Sequence, residues 1–225
     1  MAIQTELTFD ASNSAGSVSA LLDVPPDAWA LLVFAHGAGA GMGHRFMSGM
    51  SKRLVERGIG TFRYQFPYTE AGKKRPDPQP ILLATVRSAV QRAAREGLPL
   101  LAGGKSMGGR MTSLAASSEP IPDVRGIVFF GFPLHAPGKP GTERAAHLSN
   151  VTVPLLFLQG TRDSLAKLEL IEPVIENLGS AATLHIADGA DHGFHVPKRS
   201  GRTDPDVMDE LADAVVVWAR AASLA

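Results

Sequence analysis

The stretch PLLAGGKSMGGRMTSLAASS, residues 99–118, decides the fold. A short apolar run leads into the pentad Gly104-Lys105-Ser106-Met107-Gly108, and a helical pattern with Met111, Leu114 and Ala115 on one face leads out. A serine on so sharp a strand-to-helix turn is held in a strained backbone that exposes its hydroxyl. Small residues two before and two after it are needed because the two backbones approach closely there. Gly104 and Gly108 meet that need, and Gly103 and Gly109 extend it. The pentad alone is weak: with 23 Gly in 225 residues, random order yields it about 0.16 times per chain. The flanking strand and helix give it weight. The competing reading is a glycine-rich helix start that binds phosphate, with Lys105 as anion partner. A Walker loop would need glycine at position 99, which is Pro99.

Outward from the pentad, short apolar runs recur at residues 30–35, 59–64, 99–103, 126–130, 154–158 and 182–187. Nearly continuous apolar runs of this length are strands buried on both faces, the mark of a parallel sheet. Between them the spacing predicts helices. One carries Phe46, Met47, Met50 and Leu54, with Gly58 as C-cap glycine. A second carries Leu82, Val86, Ala89, Val90 and Ala93 after Asp77-Pro78, placed as N-cap and N1. A third spans 107–118, ended by Pro120, and the last carries Val207, Leu211, Ala214, Val215 and Trp218 after Asp204-Pro205. Residues 4–9 and 17–24 read as two strands, antiparallel partners at one sheet edge. Residues 67–80 and 133–150 read as irregular. Both follow strands, so both belong at the carboxyl edge of the sheet, where such folds bind ligands. Alternating β and α gives a three-layer α/β/α sandwich on a mostly parallel sheet, one domain over 1–225 without a large lid.

A serine hydroxyl is a poor nucleophile until an imidazole takes its proton, and the imidazole needs a carboxylate to fix its tautomer. In this architecture the order along the chain is Ser, Asp/Glu, His. His192, in the small-residue loop 189–194 after the last strand, is the predicted base. His195 competes with it, whereas His185 lies inside a strand. Asp163, in the loop directly after the run 154–160, is the predicted acid. It could instead only cap a helix beginning near Ser164, and Asp188 and Asp191 are its rivals. The oxyanion hole needs two backbone N–H groups. Met107 supplies one, and Gly37 or Ala38 in the turn His36-Gly-Ala-Gly-Ala-Gly41 the other. His36 reads as a brace of that turn rather than a catalytic group.

Composition narrows the rest. Lys+Arg and Asp+Glu balance at 22 each, which argues against nucleic acid or anionic membrane as partner. No apolar run approaches a membrane span, and Met1 to Asp10 lacks a secretory pattern. Cysteine is absent, which removes disulfides, thiolate metal sites and cysteine nucleophiles. A cytoplasmic protein with no metal and no organic cofactor is expected, its oligomeric state open. Arg45, Lys73, Lys74, Arg75, Lys105, Arg110, Arg162, Lys198, Arg199 and Arg202 fall in segments predicted at the active edge. They favour anionic acyl substrates, with Arg45, Lys105 and Arg162 as substrate-binding residues. The plainer reading is solvated loop charges paired with Glu70, Asp77, Asp163 and Asp204.

His36-Gly37, the run Gly-Lys-Ser-Met-Gly-Gly-Arg at 104–110, Gln159-Gly-Thr-Arg-Asp163 and Gly-Ala-Asp-His-Gly-Phe at 189–194 resemble one group of α/β-hydrolases. This is the α/β-hydrolase-like group named for a testis-expressed protein and a chromatin-complex subunit, near the dienelactone hydrolases. Tyr64-x-Phe66-Pro67-Tyr68 and the basic loop after it strengthen the likeness, which covers nearly the whole chain. Dienelactone hydrolases typically use cysteine, and this chain has none. Residues and resemblance together imply a serine hydrolase. It would act on a small soluble ester or thioester through a Ser-His-Asp triad and an acyl-enzyme. The alternative is a non-catalytic binding or scaffolding protein that kept the fold.

Overall fold

The computed structural model, which describes residues 3–12 and 15–222, gathers the apolar runs into one eight-stranded sheet. β1 (Ile3–Ser12) and β2 (Gly16–Val24) form an antiparallel pair at one edge. β2 pairs antiparallel with β4 (Ile59–Tyr64). The other strands are β3 (Ala30–Ala35), β5 (Leu100–Lys105), β6 (Val124–Phe130), β7 (Leu155–Gly160) and β8 (Ala182–Ala187). Together with β4 they are parallel, in the order β1-β2-β4-β3-β5-β6-β7-β8.

The central strands are apolar throughout because each serves two cores. In β3, Leu31, Val33 and Ala35 enter one, and Leu32 and Phe34 the other. In β6, Ile127 and Phe129 part in the same way from Val128 and Phe130. One core includes the buried stripes of α3 (Gln79–Ala93), α4 (Met107–Ser118) and α5 (Leu168–Leu178). The other includes those of α1 (Arg45–Val55) and α6 (Asp204–Ala221). Strand order sets the place of the site. β3 leads outward to β4, whereas β5 lies on the other side of β3. The segments leaving β3 and β5 therefore diverge and open a crevice at the carboxyl edge.

Several boundaries differ from the sequence reading. Asp77 does not cap α3: Pro78 is the N-cap residue, and Asp77 Oδ2 instead accepts from Tyr68 N at 2.7 Å. Asp204 does not cap α6 either. Thr203 does, in a reciprocal capping box with Asp206, which leaves Asp204 free for another partner. Gly58, at φ +79°, lies two residues beyond the C-cap Glu56. The segment 67–80 is not wholly irregular, since Pro67–Glu70 forms the short α2 with proline in its first turn. Within 133–150, Glu143–Asn150 winds as a 3₁₀ run. The helix expected near Ser164 begins at Leu168 and accommodates Pro173. Among the described residues no helix is long and apolar enough to cross a membrane.

Candidate active site

Ser106 stands between β5 and α4 with φ +50° and ψ −116°, one of three described non-glycine residues with positive φ. Its N–H donates to Phe130 O, and its own carbonyl accepts Arg110 N, the first bond of the helix. The crossing is tight. A Cβ on Gly104 would stand 2.3 Å from Ala35 O, and one on Gly108 2.5 Å from Ala35 O and 2.6 Å from His36 O. Both neighbours are backbone and cannot step aside. Gly108→Ala is therefore expected to cost about 1–3 kcal/mol by overpacking. Thermal unfolding should register a lower Tm, and an unchanged Tm would contradict the close approach.

His192 Nε2 lies 2.9 Å from Ser106 Oγ, and His192 Nδ1 lies 2.7 Å from Asp163 Oδ2. Asp163 is 3% exposed. Its Oδ1 accepts from Leu165 N at 2.7 Å within the loop; it caps no helix, since α5 begins at Leu168 with Lys167 as N-cap. Gln159, fully buried on β7, donates from Nε2 to Asp163 Oδ2 at 2.8 Å, while its Oε1 accepts Phe132 N at 2.9 Å. The sequence reading quoted Gln159 without giving it this task. The rivals are engaged elsewhere. His195 Nδ1 is 2.5 Å from Asp204 Oδ2, and its Nε2 accepts from Arg45 Nη2 at 2.6 Å. Asp191 Oδ1 accepts Gly193 N and His195 N, tying the turn that carries His192. Asp188 accepts from Thr161 Oγ1, and His185 Nε2 pairs with Glu210 at 2.7 Å.

The turn after β3 is closed by Ala40 N donating to Gly37 O, with Gly39 at φ +73°. Its position against the elbow is fixed by contact: a Cβ on Gly37 would sit 3.6 Å from Ser106 Cβ. His36 braces the turn. Its Nδ1 donates to Gly37 O at 2.9 Å, and its Nε2 accepts Phe66 N at 3.2 Å, so the ring is neutral. Burial holds it down to about 4, below the ordinary 6.5. Between those values an unfolded chain takes up a proton that the folded chain refuses. Stability from this residue is thus full above pH 6.5 and falls as pH drops toward 4. The loss is on the order of 3 kcal/mol. Unfolding in urea across that range should show the decline in wild type and a shallower one in His36→Asn.

A cleft of about 510 Å³ opens over Ser106 and His192, between the starts of α1 and α6. Apolar Phe46, Met47, Phe194 and Met208 line much of it. Of the ten basic residues assigned to the active edge, Arg45 and Lys105 border it. Arg162 does not. Its Nη1 donates to Gly189 O at 3.3 Å, because the β7 loop turns that side chain toward the neighbouring loop. Lys105 lines the cleft, but its Nζ donates to His192 O at 2.5 Å. The acids proposed as charge partners are also taken: Glu70 by Ser19, Asp77 by Tyr68, Asp163 by His192 and Asp204 by His195.

A second serine–histidine contact, Ser113 Oγ to His147 Nε2 at 2.7 Å, lacks these surroundings. Ser113 is fully buried within α4, and its hydroxyl also reaches Arg110 O. Among the described residues no carboxylate contacts His147, whose pKa burial lowers to about 4. It is a packing contact.

The sheet order and the serine on a strained turn at its carboxyl edge define an α/β-hydrolase architecture. The chain belongs to the alpha/beta hydrolase family: the family model described as an alpha/beta hydrolase domain matches residues 28–220. Solved structures with similar folds include a dienelactone hydrolase from Anabaena variabilis, 20% identical, covering 97% of each chain with a TM-score of 0.76. An esterase domain from a Rhodothermus marinus protein is 19% identical over 97% of this chain and 98% of that one, TM-score 0.73. An α/β serine hydrolase without lid from Xanthomonas campestris is 22% identical over 96% and 94%, TM-score 0.73. At these identities the likeness is one of fold.

Proposed function

We propose that the protein is a serine hydrolase of small esters or thioesters, with Ser106 as nucleophile, His192 as base and Asp163 as the acid that orients it. The observation that supports this most is the chain of contacts at 2.9 Å and 2.7 Å from Ser106 Oγ through the imidazole to a buried carboxylate. Ser106 Oγ attacks the acyl carbonyl while His192 Nε2 takes its proton. Negative charge then develops on the carbonyl oxygen, facing two N–H groups. Met107 N is one, since the first residue of α4 has no intrahelical acceptor. For the other, Ala38 is favoured over Gly37. Gly37 O is held by both Ala40 N and His36 Nδ1, and a trans peptide sends the Ala38 N–H the opposite way. The tetrahedral intermediate expels the alcohol or thiol, which receives the proton from His192. Water then repeats the sequence on the acyl-enzyme and releases the acid.

Substrate size follows the cleft, whose apolar wall suits a short acyl or alcohol group. Arg45 at its border is the basic residue placed for an anionic substituent, although it already donates to His195. The narrower likeness to the testis-expressed and chromatin-subunit group belongs to this reading, as do a single catalytic domain over the chain and a cytoplasmic location. A chain without cysteine loses nothing in a reducing compartment. The test is a fluorophosphonate probe with peptide mapping. Label on Ser106 supports the enzyme. Well-folded protein that takes no label supports a scaffold instead.

A further inference from the structure

We propose that Lys105 is a positioning residue, tying the loop that bears His192 to the elbow that bears Ser106 and so holding the imidazole over the hydroxyl. The inference rests on the triad reading above. Lys105 ends β5 immediately before Ser106, and its Nζ donates to His192 O at 2.5 Å. The ammonium lies over two rings, 5.6 Å from the centroid of Phe46 and 5.2 Å from that of Phe194. Those rings stack at 5.7 Å, and Phe194, at φ +64° and 1% exposed, anchors the loop of the base in the core. One cation thus gathers the nucleophile strand, the start of α1 and the base loop. Cation–π contacts strengthen when desolvated, and a charged donor makes the stronger hydrogen bond.

The same cation packs beside the imidazole itself. A Cβ on Gly131 would meet Lys105 Nζ at 3.0 Å and His192 Nδ1 and Cε1 at 3.4 Å, so ammonium and imidazole share one small space. Among the described residues Lys105 makes no ion pair of its own, as the salt bridges fall elsewhere. Burial pulls it down to about 8, while Asp163 and Asp191 pull it up, so it stays largely protonated at neutral pH. Around His192 stand Asp163 from the β7 loop, Lys105 from β5, and Asp191 and His195 from its own loop. Arg45 from α1 and Asp204 from α6 are engaged with His195. Asp163 stabilises the imidazolium that forms in the reaction. Lys105 holds the His192 carbonyl, and with it the ring's place between Asp163 and Ser106.

The experiment measures kcat and KM for p-nitrophenyl acetate with the full chain and its Lys105→Met, Lys105→Gln and Lys105→Arg variants, each counted by fluorophosphonate labelling of its active serine. Loss of the tie should lower kcat per labelled serine in Lys105→Met about tenfold or more, with KM within about twofold of wild type. Lys105→Gln and Lys105→Arg each keep a donor for His192 O, so kcat per labelled serine should partly recover in both. If Lys105→Met does not fold, the same ratio is read in Lys105→Gln, whose shorter side chain should still lower it severalfold. Counting only labelled serine removes unfolded protein from the ratio, so a merely structural role would leave it unchanged. Active wild type with an unchanged ratio in the variant that folds overturns this proposal alone. Wild type that neither turns over nor takes the fluorophosphonate label overturns the triad and this proposal together.

Discussion

Ser106→Ala is expected to lower kcat/KM for a p-nitrophenyl ester by about 10⁴–10⁶-fold, with a Tm close to wild type. The hydroxyl removed donates one hydrogen bond, to His192 Nε2 at 2.9 Å, and packs no core position. Removing it therefore deletes chemistry and little else. Ser106→Gly separates the two further. The serine backbone at φ +50° and ψ −116° is a conformation that L residues avoid and glycine adopts without penalty. That variant should be equally inactive yet gain about 1 kcal/mol, seen as a Tm raised by about 2–4 °C. Inactivity with higher stability is the signature of strain kept for function. Ser106→Ala protein retaining activity within tenfold of wild type would remove the nucleophile from the proposal.

Much of the architecture was legible because it rests on local rules. Runs such as 126–130 and 154–158 are apolar on both alternating sets, and only a strand between two helical layers uses both. The elbow was legible because close backbone approach demands glycine, and glycine at 104 and 108 announces it. Helix boundaries were less so. Asp-Pro pairs suggested caps at Asp77 and Asp204, but a side chain caps whichever amide its rotamer reaches. Tertiary partners claimed both, the Tyr68 amide for one and His195 for the other. Pro173 inside α5 withheld the usual signal of a helix.

In the candidate site, position along the chain placed Asp163 and His192, because loops that follow parallel strands share one edge. The direction of a long side chain is a different matter. Arg162 and Lys105 both occupy such loops or their borders, yet Arg162 turns to Gly189 O, and Lys105 is drawn against the stacked pair Phe46 and Phe194. Nothing local encodes either destination. Gln159 is the clearest case. Within the sequence it is a polar residue in an apolar strand, a costly placement unless every polar atom is paired. Its partners, Phe132 N and Asp163 Oδ2, come from two different loops. The signal available was the anomaly itself: a buried amide four residues before an acid asks what it holds.

That buried amide makes Asp163→Asn the second large effect, expected to lower kcat by about 10⁴-fold while KM changes little. The carboxylate accepts three hydrogen bonds from three donors: His192 Nδ1 and Gln159 Nε2 on Oδ2, and Leu165 N on Oδ1. Asparagine offers one acceptor oxygen. If that oxygen faces His192 and Gln159, its NH₂ meets the Leu165 amide, donor against donor. If the amide turns over, its NH₂ faces Gln159 Nε2, which can yield only by breaking its bond with Phe132 N. It also faces His192 Nδ1, which must then become an acceptor, so the ring proton moves to Nε2, where it cannot take a proton from Ser106. Either way one buried donor is left unmatched, a cost of about 1–3 kcal/mol that should appear as a lower Tm. Gln159→Leu is the milder companion. It frees Asp163 to rotate without changing its charge, so its loss in kcat should be closer to tenfold. If Asp163→Asn loses stability yet turns over ester within tenfold of wild type, the carboxylate serves only to cap the loop at Leu165, and the base must be oriented by another group.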